Sequence, residues 1–318
     1  MSEPRTLKNH SYSIFYAPRG RRRIYELGMQ IAQQYLSPTD QIIGLMGEAG
    51  SGKSMIAKGM FPGLELTNDD EGVNVRPLPI LDQDDETGFF TPHTYHLDVR
   101  FEAGFTPMRT LADAVLQAVK RGKRVVIEHF DLLYPLLGRN ANLIVSVGEE
   151  IIVTRPNLFG PDPVELARIC RAALPYRLMA HSAEDLVECF LSEEDMHRCT
   201  HGDIRHGFLL GFKGHKPSLN IHMIQRQIKG MIEEDLPITF DDENHVMIGD
   251  IRHECTGPRM HVASTGKIRN FRLDDEFYYD ELDDHYYLAG HVGDPGQYFF
   301  ELQELFAEKV VQSGLTQK

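Results

Sequence analysis

No stretch of the sequence comes near the ~18 consecutive apolar residues that a membrane-crossing helix requires, which argues against a helical membrane protein. The opening residues, Met1-Ser2-Glu3-Pro4-Arg5, are polar and lack the apolar centre of a secretory signal. Cysteine is scarce: Cys170, Cys189, Cys199 and Cys255 form no C-x-x-C pair and no regular framework. That pattern predicts reduced thiols and a cytoplasmic protein. Positive charge is short as well. The 33 Lys and Arg against 47 Asp and Glu leave a net charge of −14, which disfavours non-specific nucleic-acid binding.

What is present is ordinary globular material. The 318 residues are 42% apolar and 25% charged, enough for about two domains with real cores. Residues 1–40 read as an extended lead-in and one helix over 24–36, and Gln41-Ile42-Ile43-Gly44-Leu45-Met46 reads as a buried strand. Just before that helix, Arg19, Arg21, Arg22 and Arg23 read as a solvated basic turn, with a phosphate contact as the alternative. Residues 61–88 are acidic and turn-rich, an irregular excursion or lid. Strands are expected at 94–101, 124–128, 143–147 and 150–154, with an amphipathic helix at 110–120. Strands alternating with helices imply a largely parallel sheet covered on its faces. Beyond about residue 175 the alternation loosens: a helix at 182–191, a strand at 207–212, a helix near 220–234 and short strands to 273 suggest α+β. The tail from Asp274 is acidic and tyrosine-rich and closes with a helix near 297–312.

The strand at 41–46 feeds directly into Gly47-Glu48-Ala49-Gly50-Ser51-Gly52-Lys53-Ser54, which fits G-x-x-x-x-G-K-[ST]. Glycines let the backbone wrap so that several N–H groups converge on one phosphate at the positive end of a helix. Lys53 is then expected to reach the β- and γ-phosphates of a nucleoside triphosphate, and the Ser54 hydroxyl to ligate Mg²⁺. Asp98 and Glu128, each at the end of a predicted strand, are the candidate acidic partners, with Asp131 close behind Glu128. Arg155 reads as a structural ion pair, with a γ-phosphate contact as the alternative. The acidic insertion Asn68-Asp69-Asp70-Glu71-Gly72-Val73-Asn74-Val75-Arg76 could hold a metal or a cationic substrate, or stand as a solvated loop.

Residues 40–135, with the phosphate loop, His96-Leu97-Asp98-Val99-Arg100 and Val126-Ile127-Glu128, resemble the small bacterial ATPase of the tRNA threonylcarbamoyladenosine system. The resemblance implies that Asp98 sits near Mg²⁺ and that Glu128 positions water. The chain departs from that family in lacking its Glu-Trp pair, since it has no tryptophan, and in carrying a long acidic insertion.

In the second half, residues i and i+4 of a helix share one face, so His181 and Asp185 could ligate one ion, with Cys255 and His261 supplied from a loop. His181-Ser182-Ala183-Glu184-Asp185-Leu186-Val187, Phe208-Leu209-Leu210-Gly211-Phe212, Cys255 to Val262 and Ser264-Thr265-Gly266-Lys267-Ile268 occur in an order that resembles the second additional domain of alanyl- and threonyl-tRNA synthetases. That editing domain binds Zn²⁺ through His-x-x-x-His and Cys-x-x-x-His, which implies His181, Asp185, Cys255 and His261 as ligands here. Asp185 replaces a histidine, and the Cys–His spacing is two residues longer, so an altered metal, an open position or a metal-free fold all remain open. His197, His201 and His206 read as surface histidines, with 200–203 as a loop, and Arg205 and Arg259 as possible anion contacts.

The expected architecture is an α/β P-loop nucleotide-binding domain with a mainly parallel sheet over 1–175, an α+β synthetase-editing-like module over 176–273, and an acidic C-terminal extension over 274–318. The expected function is ATP binding and hydrolysis, coupled to recognition of an amino acid, an aminoacyl compound or a tRNA acceptor end. A small-molecule kinase and a non-enzymatic nucleotide-dependent switch are the alternatives. The guanine-selecting N-K-x-D motif is missing, which favours ATP over GTP.

Overall fold

The computed structural model describes residues 12–64, 66, 80–81, 93–157, 160–257 and 259–294. The acidic insertion and the expected helix at 297–312 lie outside the described residues. The first half runs β1 (Tyr12–Tyr16), α1 (Arg21–Tyr35), β2 (Ile42–Met46), α2 (Lys53–Met60), β3 (Thr94–Asp98), the single turn α3 (Val99–Glu102), α4 (Met108–Lys120), β4 (Arg124–Glu128), α5 (Phe130–Leu137), β5 (Leu143–Val147) and β6 (Glu150–Thr154). One sheet takes all six strands in the order β1-β6-β5-β2-β4-β3. Strands β3, β4, β2 and β5 are parallel, while β6 and β1 close one edge antiparallel. Within the extended lead-in, Tyr12–Tyr16 is therefore an edge strand of the sheet.

Alternation along β2 decides what covers each face. Ile42 and Met46 join the apolar cluster with Leu111, Val115 and Ala118 of α4 and Phe130 and Leu133 of α5. Ile43 and Leu45 join the cluster with Ile24 and Ile31 of α1 and Ile56 and Ala57 of α2. A strand buried on both faces is the usual centre of a parallel sheet. The expected strand over 94–101 stops at Asp98, because the Asp98 side chain accepts a hydrogen bond from the Phe101 amide (3.0 Å) and caps α3.

The second half begins inside one 26-residue helix, α6 (Pro163–Glu188). The helix expected to start near 182 is the continuation of this element, and the boundary expected at 175 falls within it. Its first turns, with Leu166, Ala167 and Cys170, pack on the six-stranded sheet. Its last turns, with Met179, Ala183, Leu186 and Val187, pack in a second core. The chain continues through α7 (Glu193–Arg198), β7 (Cys199–Ile204), β8 (Gly207–Lys213), α8 (Ile221–Glu233), β9 (Ile238–Asp242), β10 (His245–Ile248), β11 (Ile251–Glu254), β12 (Arg272–Leu273), β13 (Tyr278–Asp280) and β14 (His285–His291), and β8, α8, β9, β10, β12 and β14 supply residues to that core. β11-β10-β9 form one antiparallel sheet, and β12-β14-β8-β7, with β13 beside β14, form another. The stretch from Asp274, expected as a separate extension, thus supplies two strands, and β14 pairs with β8 over seven residues. Residues 200–203, expected as a loop, belong to β7, where pairing with β8 overrides their turn-like composition.

Helices α1 and α2 meet at glycines. A Cβ on Gly59 would lie 2.2 Å from the Tyr25 carbonyl oxygen, and one on Gly28 2.7 Å from that of Ile56. Gly59→Ala should therefore lower stability by about 1–3 kcal/mol through overpacking. A urea midpoint unchanged from wild type would show that the two helices can separate freely.

Candidate functional site

The loop after β2 is shaped by Gly47, Gly50 and Gly52, with φ of 139°, 77° and 100°, a region that L side chains rarely adopt. Gly52 caps α2, so the loop ends on the amide-bearing, positive end of that helix. Lys53, only 4% exposed, donates from Nζ to the Glu48 carbonyl (2.8 Å) and lies 4.0 Å from Glu128 Oε2. Burial lowers its pKa, against the attraction of Glu128, Asp98 and Glu48. The Ser51 hydroxyl is buried without a hydrogen-bond partner, and the Ser54 hydroxyl bonds to Glu128. Glu48 and Ala49 complete the loop. Glu48 is tied outward to Arg171 (2.6 Å) and Arg100 (3.4 Å).

Parallel pairing brings the two predicted carboxylates together. Asp98 and Glu128 are register partners on β3 and β4, and Glu128 is also level with Leu45 of β2. Both therefore stand at the sheet edge from which the loop springs. Burial opposes the charge on Glu128, but the hydrogen bond from His96 Nε2 (3.1 Å), with Lys53 and Ser54, outweighs it and holds the carboxyl below the usual range. Asp98 goes the other way: burial and the neighbouring Glu128 charge raise it. His129, with φ of 56°, is pushed down to about 4 by burial and Lys53, so its imidazole is neutral. Asp131 is level with none of these and lies 3.8 Å from Arg171.

A cavity of about 630 Å³ opens over the loop, within the range of small-molecule sites. Its floor is residues 49–54 with Asp98, Glu128 and His129. Its far wall comes from the second half, with Glu243, Gly257, Arg259 and Met260. Although the chain is acidic, Arg19, Arg21, Lys53, Lys58, Arg100 and Arg177 all line this space. The local field favours an anion.

Arg177 joins the halves. It is 3% exposed and donates to the carbonyls of Ser51 (2.9 Å), Gly148 (3.4 Å) and Pro18 (2.6 Å). Burial, with repulsion from Arg19, drives its guanidinium down to about 10. One turn further along α6 the chemistry changes sign. His181 and Asp185, which share a face of α6, meet Cys255 and His261 there. His181 Nε2 is 3.1 Å from Cys255 Sγ, Sγ is 3.8 Å from His261 Nε2, and that nitrogen is 2.8 Å from Asp185 Oδ2. All four donor atoms lie within 4.8 Å of one another, a span that fits the N, O and S donors of one tetrahedral zinc. Burial raises the Cys255 thiol, and Asp185 adds to the effect. Burial likewise disfavours the Asp185 charge, but His181 and His261 prevail and keep its carboxyl low.

Residues with no motif to announce them complete both centres. His96 shares a face of β3 with Asp98, and Arg177 precedes His181 by one turn. Glu184 and Glu188 follow on α6, and His253 shares a face of its chain segment with Cys255. Glu184, Glu188 and His201 form one further constellation, and Asp185, Glu188 and His253 another. Burial opposes the charge on His253, yet Cys189, Glu188 and Asp185 raise it to about 10, and Glu184 and Glu188 raise His201 to about the same value. Helical and strand periodicity contained these signals, but only relative to an axis that the fold supplies.

Other expectations need correction. Arg19 is not part of a solvated turn: it is buried, with Nε 2.8 Å from Glu184 Oε2 and Nη1 3.1 Å from Asp203. Packing of the β1–α1 connection against β7 puts it there, and Arg23 also pairs with Asp203, whereas Arg22 stays exposed. His206 is buried, 6% exposed, and its ring packs tilted against Tyr176, with centroids 3.8 Å apart. Arg155, by contrast, forms the structural ion pair expected of it, with Asp40 (2.5 Å). Arg259 lines the cavity and covers Phe240 at 5.4 Å, whereas Arg205 is not among the cavity residues. Among the described residues no helix is long and apolar enough to cross a membrane. No family model matches the chain, and no curated protein does.

Replacing Arg177 by Met keeps most of the volume and strands three buried carbonyls, which should cost about 2–4 kcal/mol of stability. Urea unfolding reads this directly. A variant as stable as wild type would mean that water takes over the guanidinium's contacts.

Proposed function

We propose that this chain is an ATP-binding protein and an ATP hydrolase, built from a P-loop nucleotide-binding domain and a synthetase-editing-like α+β module. The observation that carries the reading is the convergence of a left-handed glycine loop, Lys53, Ser54, Asp98 and Glu128 on one cation-lined cavity. Loop amides and Lys53 hold the β- and γ-phosphates. Ser54 and Asp98 are the residues suited to Mg²⁺, which would neutralise charge on the phosphates. Glu128, kept ionised by His96, orients the attacking water. The four unpaired cysteines suit the cytoplasm, where thiols stay reduced.

His181, Asp185, Cys255 and His261 suit zinc, and that centre lies in the module proposed to recognise an amino acid, an aminoacyl compound or a tRNA acceptor end. Two covalent connections support coupling between the sites. Cys255 and His261 are the ends of a segment whose middle residues, Gly257, Arg259 and Met260, wall the nucleotide cavity. On α6, Arg177 and His181 are one turn apart.

Phosphate release from ATP tests the first part. Wild type should turn over ATP, and Lys53→Ala should abolish it. Glu128→Gln should lose at least ~100-fold while retaining nucleotide, as expected for a residue acting on the attacking water. Turnover that survives Lys53→Ala sinks the reading. Stimulation by bulk tRNA identifies the partner class, whereas indifference to tRNA points to a small amino-acid ligand. Coupling predicts that Cys255→Ser weakens ATP binding by about 5-fold or more. Equal affinities by calorimetry would separate the two sites.

A further inference from the structure

We infer that the buried cluster on α6 holds two divalent metal ions, bridged by Asp185, with the second ion between Asp185, Glu188 and His253. The inference rests on the first metal site proposed above and extends it. Asp185 Oδ2 lies 2.8 Å from His261 Nε2 on one side and 4.0 Å from His253 Nε2 on the other. His253 Nε2 is also 3.2 Å from Glu188 Oε2. The donor atoms of this second set lie within 4.8 Å of one another, as do those of the first.

Three features set these residues apart from ordinary packing. The first set already supplies four donors, which completes a tetrahedral ion, so Glu188 and His253 are surplus to it and still converge on Asp185. The ring of His253 is oriented for ligation. Its Nδ1 lies 3.7 Å from Cys189 Sγ, which leaves Nε2 facing the two carboxylates. A ligating histidine is usually held this way through its other nitrogen.

Charge supplies the third feature. Glu184, Asp185 and Glu188 are all at least nine-tenths buried within little more than one turn. Arg19 grips Glu184 through both carboxylate oxygens. Asp185 and Glu188 face imidazoles instead: His253 and His261 at Asp185, and His201 and His253 at Glu188. Glu188 Oε1 is buried without a hydrogen bond, its contact with His201 Nδ1 being an ion pair at 3.2 Å. Buried carboxylates need a counter-charge: the facing imidazoles carry it when protonated, and a second cation takes it over when it displaces those protons and His253 ligates as the neutral ring.

The two ions differ in kind. The first takes nitrogen, sulfur and one carboxylate, and selects Zn²⁺. The second takes two carboxylates and one imidazole, a harder set that admits Zn²⁺, Mn²⁺ or Fe²⁺. A bridging carboxylate places such ions about 3.5–4 Å apart. With three protein donors, the second ion keeps a position for an outside oxygen ligand.

The test is a count of metal in the full-length chain, stripped by chelator and reloaded with Zn²⁺ or Co²⁺. Wild type should retain two equivalents after gel filtration. His253→Ala and Glu188→Gln should each retain one, and Cys255→Ser should lose the tighter equivalent. The wild-type Co²⁺ protein, which needs no substitution, should lose paramagnetic resonance intensity as the second equivalent enters, because bridged ions couple. One equivalent in wild type, unchanged in His253→Ala, overturns the two-ion inference and leaves the first site standing. Two equivalents that survive His253→Ala, or that stay uncoupled, overturn it as well. Binding of no metal removes both sites, while Lys53-dependent ATP turnover would be untouched.

Discussion

The burial of one guanidinium among three backbone carbonyls holds the halves of this protein in register. Arg177 reaches the glycine loop at Ser51, the β5–β6 turn at Gly148 and the entry to α1 at Pro18. A charge taken out of water is costly unless its hydrogen bonds are satisfied, and here the satisfying groups come from three separated segments. The geometry of the loop is thereby tied to the orientation of α6. Everything further along that helix, including the histidine and carboxylates of the second centre, inherits its position from this contact.

Charge is sorted in space by the same helix. The side facing the phosphate loop presents Arg177 to a cavity rich in Arg and Lys, while one turn later the helix presents Glu184, Asp185 and Glu188 to a pocket of imidazoles and a thiol. The field at the first favours negative charge and that at the second positive charge. Arg19 separates them: it lines the cavity and grips Glu184. The overall charge of −14 describes neither place.

Legibility in the sequence followed the range of the signal. The strand–glycine loop–helix element was readable because its residues are contiguous from Gly47 to Ser54. The strands at 124–128, 143–147 and 150–154 and the helix at 110–120 were readable because their periodicity is strong. His181, Asp185, Cys255 and His261 came from helical spacing and from a resemblance, and the fold brings the four together. Arg19 was misread because composition near a helix start says nothing about the strand that later covers it. Residues 200–203 were misread because their extended form depends on β8, which follows them. Arg177, Glu188 and His253 were silent, since a lone charged side chain gains meaning only when the fold brings its partners from other segments to face it.

The length of α6 bears on how the molecule comes apart. One end of the helix is an integral part of the core beneath the six-stranded sheet, and the other end is part of the core beneath β7, β8 and β14. Melting either core strips half of the helix of its apolar support, and a helix half so exposed is marginal in water. The two halves are therefore a single cooperative unit despite their separate sheets. A cut within α6 would yield fragments that both lack a wall of their own core.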